Sequence, residues 1–279
     1  MAKKAEKKAR RVAVIEGCRI PFQRSGTGYY DLMAWSLGQF AVKGLLARTG
    51  ISPKDIDQVL MGCVATDIAT TIAAALVINI GTLSEAWISS MFEAAHQARI
   101  KGIPVILDPV GAGATSYRTQ TARELIGAEP PSVIRGNASE IMALSDDKAK
   151  TKGVDSAASS GDALAIAKKI SAESNCVVCV SGETDYVVQG DKVIKIRNGH
   201  PLMTRVTGLG CTASALCGAF AAVEKDARVA VAQAMAVVGI AGEMAAQRAA
   251  GPGSLQMHFL DILYRINRED IARLLKIEE

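Results

Sequence analysis

Short apolar runs alternate with longer stretches in which apolar residues recur every three or four positions. The runs are rich in Val, Ile and Leu and have the length of buried strands, whereas the longer stretches have the period of amphipathic helices. This alternation predicts an α/β fold with helices on both faces of a mostly parallel sheet. The predicted strands are residues 75–80, 103–108, 131–135 and 176–182, and the predicted helices are residues 85–100, 117–126 and 161–173.

The last hundred residues depart from this simple alternation. Residues 186–188 and 192–197 form two β-branched runs around a short polar turn, which predicts a hairpin. Alanine-rich residues 226–249 predict long helices, and an amphipathic end follows Phe259. Residues 145–160 are polar and predict a surface loop. We therefore expect a three-layer sandwich of the α/β class.

The first 70 residues predict a β-α-β unit of their own. Residues 11–17 and 59–64 read as strands, and residues 32–48 read as a helix capped by Asp31. Before them, residues 1–10 form a basic tail. Such a tail either contacts nucleic acid or an acidic membrane, or is simply solvated. Because the remainder of the chain is close to neutral, we expect a solvated tail and neither nucleic acid nor membrane as a partner.

The composition further limits the classes of protein to which the chain can belong. The 279 residues are 49% hydrophobic and only 4% aromatic, with a net charge of +4. The basic tail lacks the apolar segment of a signal peptide, and charges or glycines interrupt the apolar runs before they reach the length of a membrane span. The six cysteines are scattered, which is typical of reduced thiols. Cys176 and Cys179 are expected on opposite faces of one strand, which disfavours a zinc site. We expect a cytoplasmic protein.

A glycine-rich turn precedes a helix of small residues at Thr207-Gly-Leu-Gly-Cys211. Its glycines allow backbone angles that bring the first amides of a helix to one point, where phosphate is favoured. The alternative is an ordinary tight turn between a strand and a helix. In either case Cys211 lies at the mouth of the turn.

Polar residues at two other predicted strand ends point to the same chemistry. Asp108 ends one strand, and Asn137 with Glu140 follows the next. Carboxylates beside a phosphate site suit Mg-nucleotide chemistry, and Arg135 suits phosphate oxygens. Each residue also has a structural alternative. Asp108 would cap a turn, Asn137 and Glu140 would form a capping box, Arg135 would be a surface cation, and Cys211 would be a buried small hydrophobe.

Residues 11–69 resemble the start of a thiolase, particularly the thiolase subunit of fatty-acid β-oxidation complexes. The resemblance lies in Arg11-Val-Ala-Val-Ile-Glu-Gly-Cys-Arg-Ile-Pro-Phe-Gln-Arg-Ser-Gly26, Asp31-Leu-Met33, Gly44-Leu-Leu46 and Ile56-Asp-Gln-Val-Leu-Met-Gly62. The segment that carries a thiolase's nucleophilic cysteine is missing, as are its later Cys and His motifs. Neither Cys18 nor Cys63 lies in a thiolase active-site motif, so the resemblance implies no thiolase activity.

Residues 73–279 resemble hydroxyethylthiazole kinases, which have the ribokinase-like fold. The matching stretches include Ala75-Leu-Val-Ile-Asn-Ile-Gly-Thr-Leu-Ser84, Leu107-Asp-Pro-Val-Gly-Ala-Gly-Ala-Thr115, Val133-Ile-Arg-Gly-Asn-Ala-Ser-Glu-Ile-Met142, Gly182-Glu-Thr-Asp-Tyr186, Gly199-His-Pro-Leu-Met-Thr204, Thr207-Gly-Leu-Gly-Cys211 and Gly251-Pro-Gly-Ser254. The resemblance implies ATP-dependent phosphorylation of the hydroxyl of 4-methyl-5-(2-hydroxyethyl)thiazole in thiamine salvage. It also implies Mg²⁺, and a homotrimer with sites between subunits.

The same resemblance assigns roles to matching residues. Gly208 is expected to contact the thiazole, and Cys211 takes the catalytic place that many ribokinase-like relatives give to an Asp base. Leu209 is bulkier than the residue common at its position. Asp108 and Glu140 are expected to hold Mg²⁺, in part through water. The residues expected to bind ATP are Arg135, Asn137, Ser181, Thr207 and Gly210.

The two resemblances meet near residues 65–71, which suggests a chimeric chain with segments 1–10, 11–70 and 71–279. In the kinase family the thiazole pocket is lined by an N-terminal region that differs from residues 11–70. Two alternatives to an active kinase therefore stay open. One is a nucleotide-binding chain that does not phosphorylate, and the other is a thiolase-derived module that binds a partner.

Overall fold

The computed structural model describes residues 34–52, 73–145 and 162–279 and divides the chain into two units, Met1–Gly62 and Cys63–Glu279. In the first unit it describes one helix, α1 (Ala34–Thr49), which confirms the helix predicted there. The helix ends at Gly50, whose φ is +66° and whose N–H donates to the carbonyl of Leu46 at 2.9 Å. The predicted basic tail and strands 11–17 and 59–64 lie outside the described residues, as does nearly all of loop 145–160.

The second unit is built on a mixed sheet of seven strands that lie side by side in chain order. The first four strands are parallel, and each later strand is antiparallel to its neighbour. This arrangement confirms the predicted parallel sheet with a hairpin added to it. The strands are β1 (Leu76–Asn79), β2 (Val105–Asp108), β3 (Val133–Asn137), β4 (Val177–Ser181), β5 (Asp185–Gln189), β6 (Lys192–Ile196) and β7 (Ile277–Glu278).

Helices cover both faces of this sheet. Four helices connect the parallel strands, and four follow the hairpin. They are α2 (Glu85–Ile100), α3 (Ser116–Ala128), α4 (Ala138–Leu144), α5 (Leu164–Ser174), α6 (Leu209–Ala221), α7 (Ala227–Ala246), α8 (Pro252–Arg265) and α9 (Arg268–Leu274).

Alternating side chains of the strands divide the core into two apolar layers. On β2, Val105 and Leu107 belong to the layer that contains Met91 of α2 and Leu125 of α3. Ile106, between them, belongs to the layer formed with α6, α7 and α8. Cys176 and Cys179 likewise fall in different layers, as their spacing predicts. The architecture is therefore the predicted three-layer α/β/α sandwich.

Helix α7 corrects one expectation from the sequence. Its residues Ala227–Ala246 are long and apolar enough to cross a membrane, despite Gly239, Gly242 and Glu243. However, 72% of its apolar window is buried inside the fold, where α7 packs between α6, α8 and the sheet. The apolar side chains of α7 therefore form part of the hydrophobic core.

Close packing of α7 against the segment after β6 leads to a stability prediction. A Cβ at Gly239 would lie 2.6 Å from the backbone carbonyl carbon and oxygen of Asn198. Backbone cannot move aside as a side chain can, so Gly239→Ala is expected to lower the free energy of unfolding by about 1–3 kcal/mol. Urea denaturation followed by circular dichroism measures this effect.

Gly127→Ala is the matched control for that substitution. Gly127 is also helical, in α3, but a Cβ there meets nothing within 4 Å. The better helix propensity of alanine predicts a change between zero and a gain of about 1 kcal/mol. Equal losses of stability in the two variants would contradict the packing argument.

Candidate active site

The four parallel strands end at one edge of the sheet and bring four polar side chains together there. The last residues of β1 to β4 are Asn79, Asp108, Asn137 and Ser181, and the strand register pairs Asn79 with Asp108 and Asn137 with Ser181. Binding sites of parallel α/β sheets lie at this edge. The N-terminus of α6 reaches it as well, since Ser214 and Gly210 of α6 contact Asp108 and Arg135.

Asp108 is buried and is 1% exposed. Its Oδ2 accepts hydrogen bonds from Ser214 Oγ at 2.8 Å and from Asn79 Nδ2 at 3.0 Å. Burial raises the pKa of this carboxyl above its usual value, although these donors and the charge of Arg135 act in the opposite direction. The side chain therefore joins β1, β2 and α6 and does not serve as the simple turn cap considered above.

Asn137 and Glu140 form the predicted capping box at the start of α4. Asn137 Oδ1 accepts from the N–H of Glu140 at 2.9 Å, and Glu140 Oε2 accepts from the N–H of Asn137 at 2.8 Å. The second oxygen, Oε1, accepts from the N–H of Gly111 at 3.0 Å. Glu140 thus also holds the loop that follows β2, which brings its carboxylate toward Asp108.

Arg135 is the main cation of the site, and the expectation of a surface cation is wrong because it is only 9% exposed. Its Nη2 donates to Ser181 Oγ at 2.8 Å and its Nη1 to the carbonyl of Gly210 at 3.3 Å. Its buried Nε has no hydrogen-bond partner. Among the described residues no carboxylate forms an ion pair with it, so its charge is free to bind an anion.

The glycine turn opens α6 as predicted. Gly208 is the N-cap residue with φ +91°, a conformation that favours glycine. The amides of the next three residues have no partner within the helix and face outward at its positive end. Thr207 and Cys211 are exposed, so the alternative of a buried Cys211 is wrong. Leu209 points inward and is buried in the core.

A cavity of about 650 Å³ adjoins this turn. One end is polar and contains Arg135, Asn137, Ser181 and Gly210. The lining also includes six apolar residues, Pro201, Met203, Leu209, Ala213, Met235 and Val238. A polar end beside apolar side chains, at a volume typical of ligand pockets, suits a molecule that carries both phosphates and a flat ring.

A buried carboxylate in this cavity was not singled out from the sequence. Asp185, at the start of β5, is 7% exposed, and its Oδ1 accepts from the N–H of Gly182 at 2.9 Å. Burial raises its pKa to about 7, partly offset by that hydrogen bond and by the charge of Arg135. It therefore changes charge near neutral pH.

This pKa predicts a pH-dependent stability. A carboxyl whose pKa is raised on folding favours the folded state at low pH, and this contribution is lost as the pH rises from about 4 to the folded value of about 7. Asp185→Asn keeps an acceptor for Gly182 and removes the titration. The variant is expected to gain about 2–3 kcal/mol of stability relative to wild type between pH 5 and about pH 8. Urea denaturation at the two pH values measures the change, and a constant difference would contradict it.

The chemistry of Asp108 and Glu140 fits a magnesium ion that retains part of its water. No group of three or more His, Cys, Asp or Glu side chains suited to a metal occurs among the described residues. Two neighbouring carboxylates are nevertheless a common protein contribution to Mg²⁺, whose remaining ligands are water and substrate phosphates. Burial raises the pKa of Asp108, and the charge of Glu140 adds to this effect, as expected for neighbouring carboxylates.

Comparison with known proteins points to one family. The profile of the hydroxyethylthiazole kinase family matches residues 39–269. A hydroxyethylthiazole kinase of Syntrophus aciditrophicus is 60% identical over 207 residues, which cover 74% of this chain and 77% of that protein. One from Desulfotalea psychrophila is 44% identical over 237 residues, covering 84% and 85%. The solved structure of a hydroxyethylthiazole kinase protein from Pyrococcus horikoshii is 38% identical with a TM-score of 0.68, covering 76% of this chain and 79% of that one.

The family match starts earlier than the sequence motifs indicated. It begins at residue 39, inside the segment assigned to a thiolase-like origin, and not near residue 73. These comparisons give no support to a thiolase origin or to a chimera.

Proposed function

We propose that this chain, which belongs to the hydroxyethylthiazole kinase family, transfers the γ-phosphoryl group of ATP to the hydroxyl of 4-methyl-5-(2-hydroxyethyl)thiazole in thiamine salvage. The observation that carries the proposal is the buried guanidinium of Arg135, which lies between Ser181 and the turn that opens α6 and has no ion-pair partner among the described carboxylates. This is an arrangement suited to phosphate at the polar end of a ring-sized cavity.

ATP is assigned to the cavity beside α6. Arg135 and Ser181 bind phosphate oxygens, and Asn137, Thr207 and Gly210 complete the polar end. The apolar side chains of the lining accommodate the base. Since Arg135 is fixed by Ser181 and by the Gly210 carbonyl, little side-chain ordering is needed when ATP binds.

Asp108 and Glu140 are assigned to Mg²⁺, in part through water. When bound, the ion neutralises phosphate charge and orients the transferring group. Ser214 and Asn79 fix the Asp108 carboxylate, and the capping box fixes that of Glu140. These contacts hold both oxygen donors on rigid elements of the fold.

The turn at Gly208 is assigned to the acceptor and to the transferring group. The amides of the first turn of α6 stabilise negative charge on the phosphoryl oxygens, and Gly208 contacts the thiazole. Cys211 is the catalytic side chain next to the acceptor hydroxyl. A thiol is a weak base toward an alcohol, so its role is to orient the hydroxyl, and it accepts the hydroxyl's proton only as a thiolate that has already given up its own.

The finer organisation of the chain is also part of this proposal. We propose a basic tail over residues 1–10, a segment of thiolase-like sequence over residues 11–70 and a kinase domain over residues 71–279, with the kinase family match reaching into the second segment as far as residue 39. The protein works in the cytoplasm as a homotrimer, without nucleic acid or membrane partners. Sedimentation equilibrium of the purified chain tests the trimer, and a monomer would contradict it.

Release of ADP from Mg-ATP, measured with and without the thiazole alcohol, tests the function. We expect ADP release that depends on the alcohol and stoichiometric formation of the phosphate ester, detected by mass spectrometry. ATP binding without alcohol-dependent turnover would overturn the proposal and favour the non-phosphorylating alternative. Co-purification with a β-oxidation enzyme, again without turnover, would favour the partner-binding alternative.

A further inference from the structure

We propose that Asn79 is a positioning residue that fixes the thiol of Cys211 relative to the carboxylate of Asp108. This inference rests on the proposed function, because it assigns both groups to the transfer. Asn79 is the last residue of β1 and lies directly beside Asp108 in the strand register. Its amide contacts both side chains.

Hydrogen bonding determines which way the amide of Asn79 points. The N–H of Gly81 donates to Asn79 Oδ1 at 2.9 Å, so this atom must be the carbonyl oxygen. The two hydrogens of Nδ2 then have one acceptor each. Nδ2 lies 3.0 Å from Asp108 Oδ2 and 3.5 Å from Cys211 Sγ. Every hydrogen-bonding group of this amide is thus engaged.

The surroundings hold the amide in this orientation. The carbonyl of Gly81 accepts from Arg118 Nη2 at 3.0 Å, which ties the turn after β1 to α3. A Cβ at Gly81 would lie only 2.8 Å from Asn79 Oδ1, so the turn is packed directly against the amide. Ser214 holds the same oxygen of Asp108 from the opposite element, α6.

Donation to the sulfur has a consequence for the acceptor hydroxyl. Because Asn79 supplies a hydrogen to Cys211 Sγ, the sulfur is an acceptor in that contact, and its own S–H points elsewhere. Cys211 is exposed and lies in the first turn of the helix that Gly208 caps, where the acceptor hydroxyl is assigned. Asn79 therefore sets the distance between the group that orients the hydroxyl and the carboxylate assigned to the metal.

Asn79→Asp tests this role, because it keeps the size of the side chain and the acceptor for Gly81 and removes both donated hydrogen bonds. We expect kcat to fall about 10- to 100-fold, the factor expected for losing one neutral and one charge-assisted hydrogen bond. The KM for ATP is expected to change by less than about threefold, since Asn79 does not line the ATP cavity. An unchanged kcat, or a loss confined to KM for ATP, would overturn the proposal. Asn79→Ala repeats the test without the added charge.

A double-mutant cycle separates an effect through Cys211 from one through Asp108. In a Cys211→Ala background, the loss caused by Asn79→Ala is expected to shrink by about fivefold, the size of one hydrogen bond. Ser214→Ala is the control, because it removes a bond to the same Asp108 oxygen and leaves the sulfur contact in place. Its effect is expected to be the same in both backgrounds. Full additivity of Asn79→Ala and Cys211→Ala would contradict the proposal.

Reactivity of Cys211 provides a readout that does not need kinase activity. The rate at which iodoacetamide alkylates Cys211 can be followed by peptide mass spectrometry. In Asn79→Ala this rate is expected to differ from the wild-type rate by about fivefold, because the sulfur loses the hydrogen bond that Asn79 donates. Ser214→Ala is expected to leave the rate unchanged. If the wild-type chain shows no turnover but alkylation changes as expected, the proposed function fails while the contact of Asn79 with Cys211 stands. An unchanged alkylation rate overturns the contact itself.

Discussion

Arg135→Met is expected to weaken ATP binding about 100-fold or more, because it removes the buried cation at the polar end of the cavity. A charge-assisted contact that is lost in a desolvated site costs several times more than one on the surface. Arg135 is 9% exposed and held by Ser181 and Gly210, so its charge is already desolvated and positioned before ATP binds. Isothermal titration calorimetry with Mg-ATP measures the dissociation constant.

The folded state is expected to tolerate Arg135→Met. Met keeps the unbranched apolar stem of the side chain. The charge of Arg135 lowers the pKa of the buried carboxyls of Asp108 and Asp185, and both carboxyls can take up a proton when that charge is removed. Arg135→Lys is the matched control. It keeps the charge but not the planar fork that contacts Ser181 and Gly210 together, and it should bind ATP with intermediate affinity. Equal ATP affinity in wild type and Arg135→Met would refute the assignment.

Asp108→Asn is expected to lower kcat about 1000-fold while the fold remains intact. The substitution removes the carboxylate assigned to Mg²⁺, whose stabilisation of the transferring group amounts to several kcal/mol. The shape is preserved, and the amide oxygen still accepts from Ser214. Steady-state kinetics over a Mg²⁺ titration measures the loss, which excess Mg²⁺ should not restore.

The stability of Asp108→Asn should depend on pH in a defined direction. Burial raises the pKa of Asp108, so its contribution to stability is present at low pH and is lost as the pH rises through the folded pKa. Above that value the Asn variant is expected to be at least as stable as wild type.

Ser214→Ala is the kinetic control for Asp108→Asn. It removes one hydrogen bond that holds the Asp108 carboxylate but keeps the carboxylate itself, so it is expected to lower kcat only about 3- to 10-fold. Similar kinetic losses in the two variants would argue against a metal role for Asp108.

Local sequence signals predicted much of the fold. The start of α4 was predictable because Asn137 and Glu140 are three residues apart and together form the capping box at the helix N-terminus. The cap at Ser84 is equally local, since its Oγ accepts from the N–H of Trp87. The gathering of Asp108 and Asn137 at one edge follows from parallel strands, whose carboxyl ends must lie together.

Long-range contacts account for what the sequence did not show. Asn79 and Ser214 are 29 and 106 residues from Asp108 in the sequence, yet both donate hydrogen bonds to its carboxylate. No local sequence pattern predicts these contacts. The burial of Asp185 depends on packing around the cavity, which its position at the start of a strand does not reveal. Strand β7 has two residues and was not predicted. It is held by a backbone bond from Arg197 and by Asn198, which accepts from the N–H of Lys276.

The starts of α8 and of a short 3₁₀ helix show a different limit of sequence patterns. The sequence placed an amphipathic end after Phe259, whereas α8 begins at Pro252 and turns its buried face through Leu255, Phe259 and Ile262. Pro201–Arg205 forms a 3₁₀ helix that was not expected. Proline and glycine near these starts resemble loop signals, and only the packing of the neighbouring apolar positions identifies them as helical.

The double use of Glu140 limits how this enzyme can be redesigned. One carboxylate oxygen of Glu140 accepts from the N–H of Asn137 and caps the start of α4, and the other accepts from the N–H of Gly111. The loop after β2 and the start of α4 are therefore linked through one side chain. An engineer who lengthens residues 109–114 to admit a larger alcohol would detach a helix cap at the same time. Libraries that vary this loop should therefore vary residues 137–140 with it.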